Sequence, residues 1–415
     1  MKVLYVSARF PWPPDRGDRL TGLALLRALA RRHEVTLLSY VDGHEPPDAV
    51  AALRALGVRV ETVHLSRRRS WLQAWLGVLS SAPSQVAYYR SAALESRARE
   101  LIAEGPDAVF VQLFRMAPAI AAASHPAKVL FLGDSIAMNL TRSRPMRPLW
   151  QQWGIDWERR RVARYELECA RRFTESWVVS PVDHADLVQR GASRVRLVPH
   201  GVEESLFEIV PARASEPRLM FLGNLSVPHN VDAAVFAARE VLPRVRAVRP
   251  DATLWLVGAD PRPEVRALAA LPGVTVTGAV PSLAPALAAA HVMVAPLRFS
   301  SGIQNKVLEA MAASLPIVTT TAVAEGVPGA SDLLSAADDA DGLARATLAL
   351  LADPAAAEAR ATRARAFARE RFSWDALAGE LERVVAESRG ARRSEEHTSE
   401  LQSHSDLVCR LLLEK

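Results

Sequence analysis

Short apolar runs rich in β-branched residues alternate along the whole chain with stretches whose apolar positions recur every three or four residues. Runs of the first kind fall at 2–7, 35–40, 58–65, 108–113, 129–132 and 177–180 and read as buried strands. The amphipathic stretches between them read as crossover helices, so the alternation predicts an α/β protein built on doubly wound parallel sheets. The segment VRLVPHGV, 195–202, closes this first series with a proline and a glycine and reads as a hinge. The alternation then restarts at 218–222 and continues through 253–257, 274–277, 292–295 and 317–320, which predicts a second Rossmann-like unit. The expected organisation is an N-terminal unit over 1–196, a C-terminal unit over 197–373 and a closing helix over 374–392. Two such units carry two sets of strand carboxyl ends, expected to face a central cleft, and ligands bind at such ends.

Composition agrees with this picture. A chain of 415 residues that is 49% hydrophobic and 23% charged excludes collagen-like, disordered and disulfide-stapled classes, and its length predicts two domains. Cys169 and Cys409 stand far apart without a CxxC or Cys/His cluster, which argues against zinc and redox motifs. The opening MKVLYVSARF breaks at Arg9, before a signal-peptide core forms, and no uncharged apolar stretch reaches the ~18 residues of a membrane span. A cytoplasmic protein, peripheral at most on the inner membrane face, is expected. Residues 393–415 break in composition from what precedes them and resemble the conceptual translation of a sequencing adapter, so they are expected to be foreign to the fold.

The formal charge of +5 conceals an asymmetry. Residues 1–200 hold 29 Lys and Arg against 19 Asp and Glu, a formal +10, and the remainder is acidic by 5. A basic half suits nucleic acid, an acidic membrane surface or a phosphorylated substrate. The arginines are scattered over helices without a helix-turn-helix, RNP or zinc-finger pattern, so nucleic acid is not expected.

The most informative stretch is VMVAPLRFSSGIQNKVLEAMAASLPIVTT, 292–320. A strand ends at Pro296, a polar loop from Arg298 to Ser301 follows, and Gly302 is expected to open a helix whose N-terminus suits a phosphate. Lys306 and Glu309 fall on one face of that helix, with Ile303, Val307, Ala310 and Met311 on its buried faces. A cation for a diphosphate and a carboxylate for ribose hydroxyls then stand one turn apart. The chain has four lysines, at 2, 128, 306 and 415, so a lysine here is not the default basic choice. The duller reading of Lys306 and Glu309 is a surface pair worth about 0.2–0.5 kcal/mol.

The run from Pro296 to Val318, with KVLEAMA and LPIV, resembles the nucleotide-sugar signature of the retaining family-4 glycosyltransferases, which have the GT-B fold. VRLVPHGVEESLF, LWLVGADP, VTVTGAV and the first loop ARFPWPPDRGDRL are similar to other parts of that family, so the likeness covers about residues 1–390. GIQNKVLEAMA together with MFLGNLSVPHNVDA resembles a narrower group found with exosortase and exopolysaccharide clusters. The resemblance implies that Glu309 binds the nucleotide ribose and that Lys306 and Arg298 neutralise the diphosphate; no required metal and no cofactor are expected. The family's first glutamate falls on Ser301, and its usual Arg and Lys after the first C-domain strand are replaced by Gly223-Asn224-Leu225-Ser226 with His229 and Asn230 beyond. These departures leave the donor's identity open and place more weight on Lys306.

The expected catalytic set is Lys306, Arg298 and Asp134, the last just past the strand VLFL, where an Asp-Ser turn is the alternative reading. The expected donor-binding set is Gly17, Gly223, Asn224, Ser301, Gly302, Ile303, Lys306 and Glu309. For the first loop two readings stand: Gly17 admits a close approach to diphosphate, or Gly17 serves a turn and Asp18 caps the helix that follows. His200 reads as packing in the hinge, and Asp339 as a helix N-cap rather than part of a metal motif with Asp341. Arg67-Arg68-Arg69 with Trp71 and Trp75 is a membrane-surface candidate. Trp150, Trp153 and Trp157 share one helix face and read as core, with a lipid-linked acceptor as their alternative use. Together these readings point to a metal-independent glycosyltransferase. It would move a sugar from a nucleotide-diphosphate donor to a glycan or polyprenyl-linked acceptor in cell-surface polysaccharide synthesis, with retention. The rival readings are a non-catalytic nucleotide-sugar-binding scaffold and an epimerase of the same fold.

Overall fold

The computed structural model describes residues 1–14, 17–78, 80–144, 148–298 and 303–390. The chain divides into two compact units: one from Met1 to Val198 together with the residues from Leu377 onward, the other from Pro199 to Ala376.

The first unit is built on a seven-stranded parallel sheet. Its strands are β1 (Lys2–Ser7), β2 (Glu34–Val41), β3 (Val58–His64), β4 (Ala108–Gln112), β5 (Lys128–Gly133), β6 (Glu175–Val178) and β7 (Val195–Leu197), in the order β3-β2-β1-β4-β5-β6-β7. The strands β4 and β5 are buried along their whole length, as expected of strands covered by helices on both faces. Tyr5 stacks on Phe110 at 5.1 Å between ring centroids, and Trp177 meets the same ring edge-on at 5.7 Å, which fills the middle of the sheet. The second unit carries a six-stranded parallel sheet of β8 (Arg218–Leu222), β9 (Thr253–Val257), β10 (Val274–Gly278), β11 (Val292–Ala295), β12 (Ile317–Thr319) and β13 (Ser335–Ala336), in the order β10-β9-β8-β11-β12-β13. The expected α/β class with two Rossmann-like units is therefore present.

Several expectations need correction. The segment taken wholly as a hinge begins with β7, whose Val195 pairs with Ser176 and Leu197 with Val178, so the first sheet gains a seventh strand. β13 has two residues and no apolar run, and it leaves no trace in the hydropathy pattern. Trp150 and Trp153 are not core: they are 78% and 79% exposed. The helix Leu149–Arg172 is 24 residues long, and its fully buried residues start at Arg161, so its first turns extend beyond the sheet it packs on. Only Trp157 of that stripe is partly covered, with the Arg161 guanidinium 4.1 Å above its ring.

The last helix runs over 374–390. At its start Trp374 packs on the backbone of Gly201, where a Cβ would lie 2.4 Å from the indole, and Val202 donates to the Phe372 carbonyl at 2.6 Å. Within the first unit its later residues are bound by charge: Arg383 to Glu175 at 2.7 Å, and Glu382 to Arg32 at 2.9 Å. Cys169 is buried as a free thiol. Among the described residues no helix is long and apolar enough to cross a membrane. Residues 393–415 lie outside the described residues.

Candidate functional site

The strand order of the second sheet reverses between β8 and β11, and the loops leaving the carboxyl ends of these two strands flank that switch point. Open parallel sheets take their ligands at such a point.

The β8 loop is tightly built. The Gly223 N–H donates to the Val257 carbonyl at 3.1 Å, and Leu225 donates to Ala259 at 2.8 Å, so the loop lies against the loop that follows β9. At Gly258, whose φ is +155°, a Cβ would fall 1.7 Å from the Gly223 oxygen, which explains the glycine there. Asn224 Oδ1 accepts from the Ser226 amide at 2.9 Å and from its hydroxyl at 2.6 Å, closing a turn. The Asn224 carbonyl accepts from Asn230 Nδ2 at 2.9 Å, which leaves Asn230 Oδ1 facing Lys306.

The β11 loop leads into the helix Asn305–Ala312, with Gln304 at its N-cap. The helix thus starts three residues later than expected from Gly302, because Ile303 and Gln304 are still extended loop. Ser301 and Gly302 lie outside the described residues, and Ile303 is partly buried against the core. Val307, Leu308, Ala310 and Met311 anchor the helix in that core.

Lys306 is only 8% exposed, which removes the surface-pair reading. Its ammonium donates to Asn230 Oδ1 at 2.8 Å and to Gln304 Oε1 at 3.3 Å and lies 5.8 Å from the centre of the Phe221 ring. Burial holds its pKa down to about 8, and Glu309 one turn on pulls the other way. Burial pushes the Glu309 carboxyl up, with Lys306 opposing and Glu203 adding to the rise. Burial, and then the Lys306 charge, hold the His229 imidazole below its usual value. A half-satisfied ammonium in a dry environment, at the first turn of a helix, is arranged to receive an anion.

Arg298 is engaged elsewhere. Its Nε donates to Asp232 at 3.0 Å, its terminal nitrogen pairs with the other Asp232 oxygen, and its guanidinium lies 4.8 Å over Phe236. A diphosphate role for Arg298 requires it to exchange this partner.

In the first unit, Asp134 is exposed just beyond β5. Gly17 starts the helix Gly17–Ala30. Asp18 sits within that helix rather than before it and binds Arg9 at 2.9 Å. Gln112 ties the first loop to the sheet, donating to the Asp18 carbonyl at 2.7 Å and accepting from the hydroxyls of Ser7 and Tyr5. Arg9 and Arg115, the latter 5.4 Å over Tyr89, stand near the β1/β4 switch point and escaped the sequence reading. The signal for them was an arginine shortly after each of two apolar strands. His200 packs against Trp374 at 6.2 Å. Asp339 caps the helix Ala340–Ala352 through the Gly342 amide at 2.6 Å. Among the described residues no group of three His, Cys, Asp or Glu is placed to hold a metal ion.

Comparison with known proteins agrees with this geometry. Residues 216–353 match the family model described as glycosyl transferases group 1. A glycogen synthase of Mycobacterium tuberculosis is 28% identical over 247 residues, an alignment spanning 53% of this chain and 58% of that protein. The crystal structure of Anabaena Alr3699/HepE in complex with UDP superposes with a TM-score of 0.58 at 16% identity, covering 94% of this chain and 100% of that one. The sucrose-phosphate synthase of Thermosynechococcus elongatus gives 0.59 at 18% identity, over 94% and 100%. Residues 216–353, which carry Lys306 and Glu309, thus match the glycosyl transferases group 1 model, within a two-unit chain that has the GT-B fold.

Proposed function

We propose that this protein transfers a sugar from a nucleoside-diphosphate sugar to a glycan or polyprenyl-linked acceptor, with retention of anomeric configuration and without a metal. The observation that carries the reading is the buried ammonium of Lys306, which among the described residues donates to the neutral side-chain oxygens of Asn230 and Gln304, at the switch point of the second sheet. The departing group in such a transfer is a nucleoside diphosphate, and a fixed positive charge aimed at it stabilises the charge that develops as the glycosidic bond breaks. Lys306 supplies that charge, helped by the N-terminal dipole of its helix. Glu309, one turn further, accepts from the ribose hydroxyls. The backbone at Gly223 and Asn224 lines the donor together with Ile303, and Ser301 and Gly302 are assigned to donor binding from the sequence alone. Arg298 joins the diphosphate after leaving Asp232. The basic first unit takes the acceptor, with Asp134, Arg9 and Arg115 as its polar contacts.

A solved relative by fold binds UDP, which supports a uridine donor here. The place we assign to the reaction is the cytoplasmic face of the membrane, in cell-surface polysaccharide synthesis of the exopolysaccharide type. Calorimetric titration of the chain with UDP and GDP tests the donor site. Donor consumption on a panel of glycan and polyprenyl-linked acceptors, with NMR of the product anomer, tests the transfer. UDP binding without turnover on any acceptor would favour the scaffold, turnover of the donor sugar to its epimer would favour the epimerase, and an inverted product would remove retention.

A further inference from the structure

The helix Arg67–Gly77 turns its large apolar side chains outward and its small ones inward. Its buried residues are the small Ser70, Ala74 and Gly77, whereas Trp71 is 69% and Trp75 71% exposed, and Leu72 and Leu76 are each more than half exposed. Gly77 lets the helix approach its neighbour, since a Cβ there would lie 2.5 Å from that of Ala87. Trp71 is held in place edge-on against Tyr88, with 5.6 Å between ring centroids. Single exposed apolar side chains are ordinary, but a helix that turns two tryptophans and two leucines outward and small residues inward is adapted to something other than water.

A second exposed cluster opens the helix Leu149–Arg172, where Leu149 is 84% exposed beside Trp150 and Trp153. The two helices are fastened together within the first unit. Arg161 donates to the carbonyls of Gly77 and Ala82, and Glu158 accepts from the Ser84 amide at 2.6 Å. Charge identifies what this face meets. Arg67, Arg68 and Arg69 are exposed at the start of the first helix, Arg67 bound to Asp42. Residues 1–200, which contain both helices, carry a formal +10. That charge opposes pairing with a second copy and attracts an anionic surface. Tryptophan favours the boundary between headgroups and acyl chains, and arginine favours lipid phosphates.

We propose that these two helices form a docking face for an anionic lipid bilayer. Trp71, Trp75, Trp150 and Trp153 enter the headgroup layer, and Arg68 and Arg69 meet the phosphates. The inference does not rest on the transfer reaction: a protein with another chemistry would still dock this way.

The test uses the full chain with vesicles of phosphatidylcholine alone and of phosphatidylcholine mixed with phosphatidylglycerol. Flotation with the mixed vesicles, weakening as salt is added, is expected, with little binding to the neutral ones. Arg68→Glu/Arg69→Glu and Trp71→Ser/Trp75→Ser are each expected to weaken binding at least roughly tenfold. UDP affinity is expected to stay unchanged in every variant, because the substituted residues lie in the other unit; this readout separates failure of docking from failure of the donor site, and an unchanged denaturant melt of the first unit, followed by its tryptophan fluorescence, reports that the variants fold. In the unaltered chain, lipids brominated on their acyl chains should quench tryptophan fluorescence, a readout that needs no variant. The proposal is overturned by absence of binding and quenching, by equal binding to neutral vesicles that the arginine reversal does not change, or by a dimer on sizing that Trp71→Ser/Trp75→Ser dissolves.

Discussion

If Lys306 receives the diphosphate, UDP affinity must follow the charge on that one ammonium. Its pKa of about 8 in the free protein leaves it mostly charged near pH 7 and about a tenth charged near pH 9. A bound diphosphate favours the charged form and raises the pKa in the complex. The Kd for UDP should therefore rise about tenfold, or about 1.4 kcal/mol, between those two pH values, with proton uptake on binding. The last phosphate proton of the ligand leaves near pH ~6, so the ligand's own titration lies below this window. Lys306→Arg keeps its charge throughout and should bind UDP with no slope. Lys306→Met should lose a charge-assisted contact worth about 1.5–3 kcal/mol, roughly 10–150-fold in Kd, again with no slope. Stability moves the other way. The native pKa lies below the unfolded value, so Lys306 makes the native state weaker below pH about 8 and this cost disappears as pH rises toward the unfolded value. The cost is about 3 kcal/mol, and Lys306→Met relieves it, so the variant should melt no lower than the parent near pH 7. Isothermal calorimetry in buffers of different ionisation enthalpy measures both the affinity and the proton uptake. A flat affinity in the parent chain, or an equal slope in Lys306→Arg, would refute the reasoning.

Glu309→Gln should weaken UDP about tenfold while changing the affinity for a 2′,3′-dideoxy analogue little, because the lost contact is to the ribose hydroxyls; calorimetry with the two ligands separates these cases. Gly223→Ala should push aside Asn230, whose Cγ and Nδ2 lie 2.9 Å from the new Cβ, and so remove the acceptor that positions Lys306. The expected result is about 1–3 kcal/mol lower stability by denaturant melt, with weaker UDP binding. Glu166 is fully buried, accepts from the Ile136 amide at 2.8 Å and binds Arg190 at 2.7 Å. Glu166→Ala should cost about 1–3 kcal/mol in urea unfolding by leaving the buried Ser135 hydroxyl and the Ile136 amide without their acceptor, while Arg190 keeps Asp186 at 2.9 Å.

The interior strands were legible because β4, β5, β8 and β11 are buried on both faces over nearly their whole length, and that condition writes itself as an apolar run. The strands β7 and β13 were not, because a three-residue half-buried strand and a two-residue edge leave no such run. Lys306 and Glu309 could be chosen from sequence, since they stand out against an arginine-rich chain at helical spacing. Their surroundings could not: Asn230 reaches Lys306 from 76 positions away, through a turn closed by Asn224 and Ser226. The same holds for Arg298, whose partner Asp232 is 66 residues distant. The tryptophans of the helix Leu149–Arg172 misled the reading because periodicity reports that one face is apolar and not what that face meets.

The return of the chain to its first unit from Leu377 onward has a consequence for synthesis. Residues 199–376 form one continuous insert, whereas the unit around them is assembled from two separated stretches. On the ribosome the insert can complete its fold while the older part still lacks Glu382, Arg383 and Ser388, which bind Arg32, Glu175 and the Pro126 carbonyl. The stretch made first is therefore finished last. Cutting the gene at residue 198 would not yield two independent halves: the downstream piece would carry a stray helix and the upstream piece would miss its brace. An exchange of the inserted unit between such proteins needs two junctions, at 198/199 and 376/377, as in replacing a domain inserted within another.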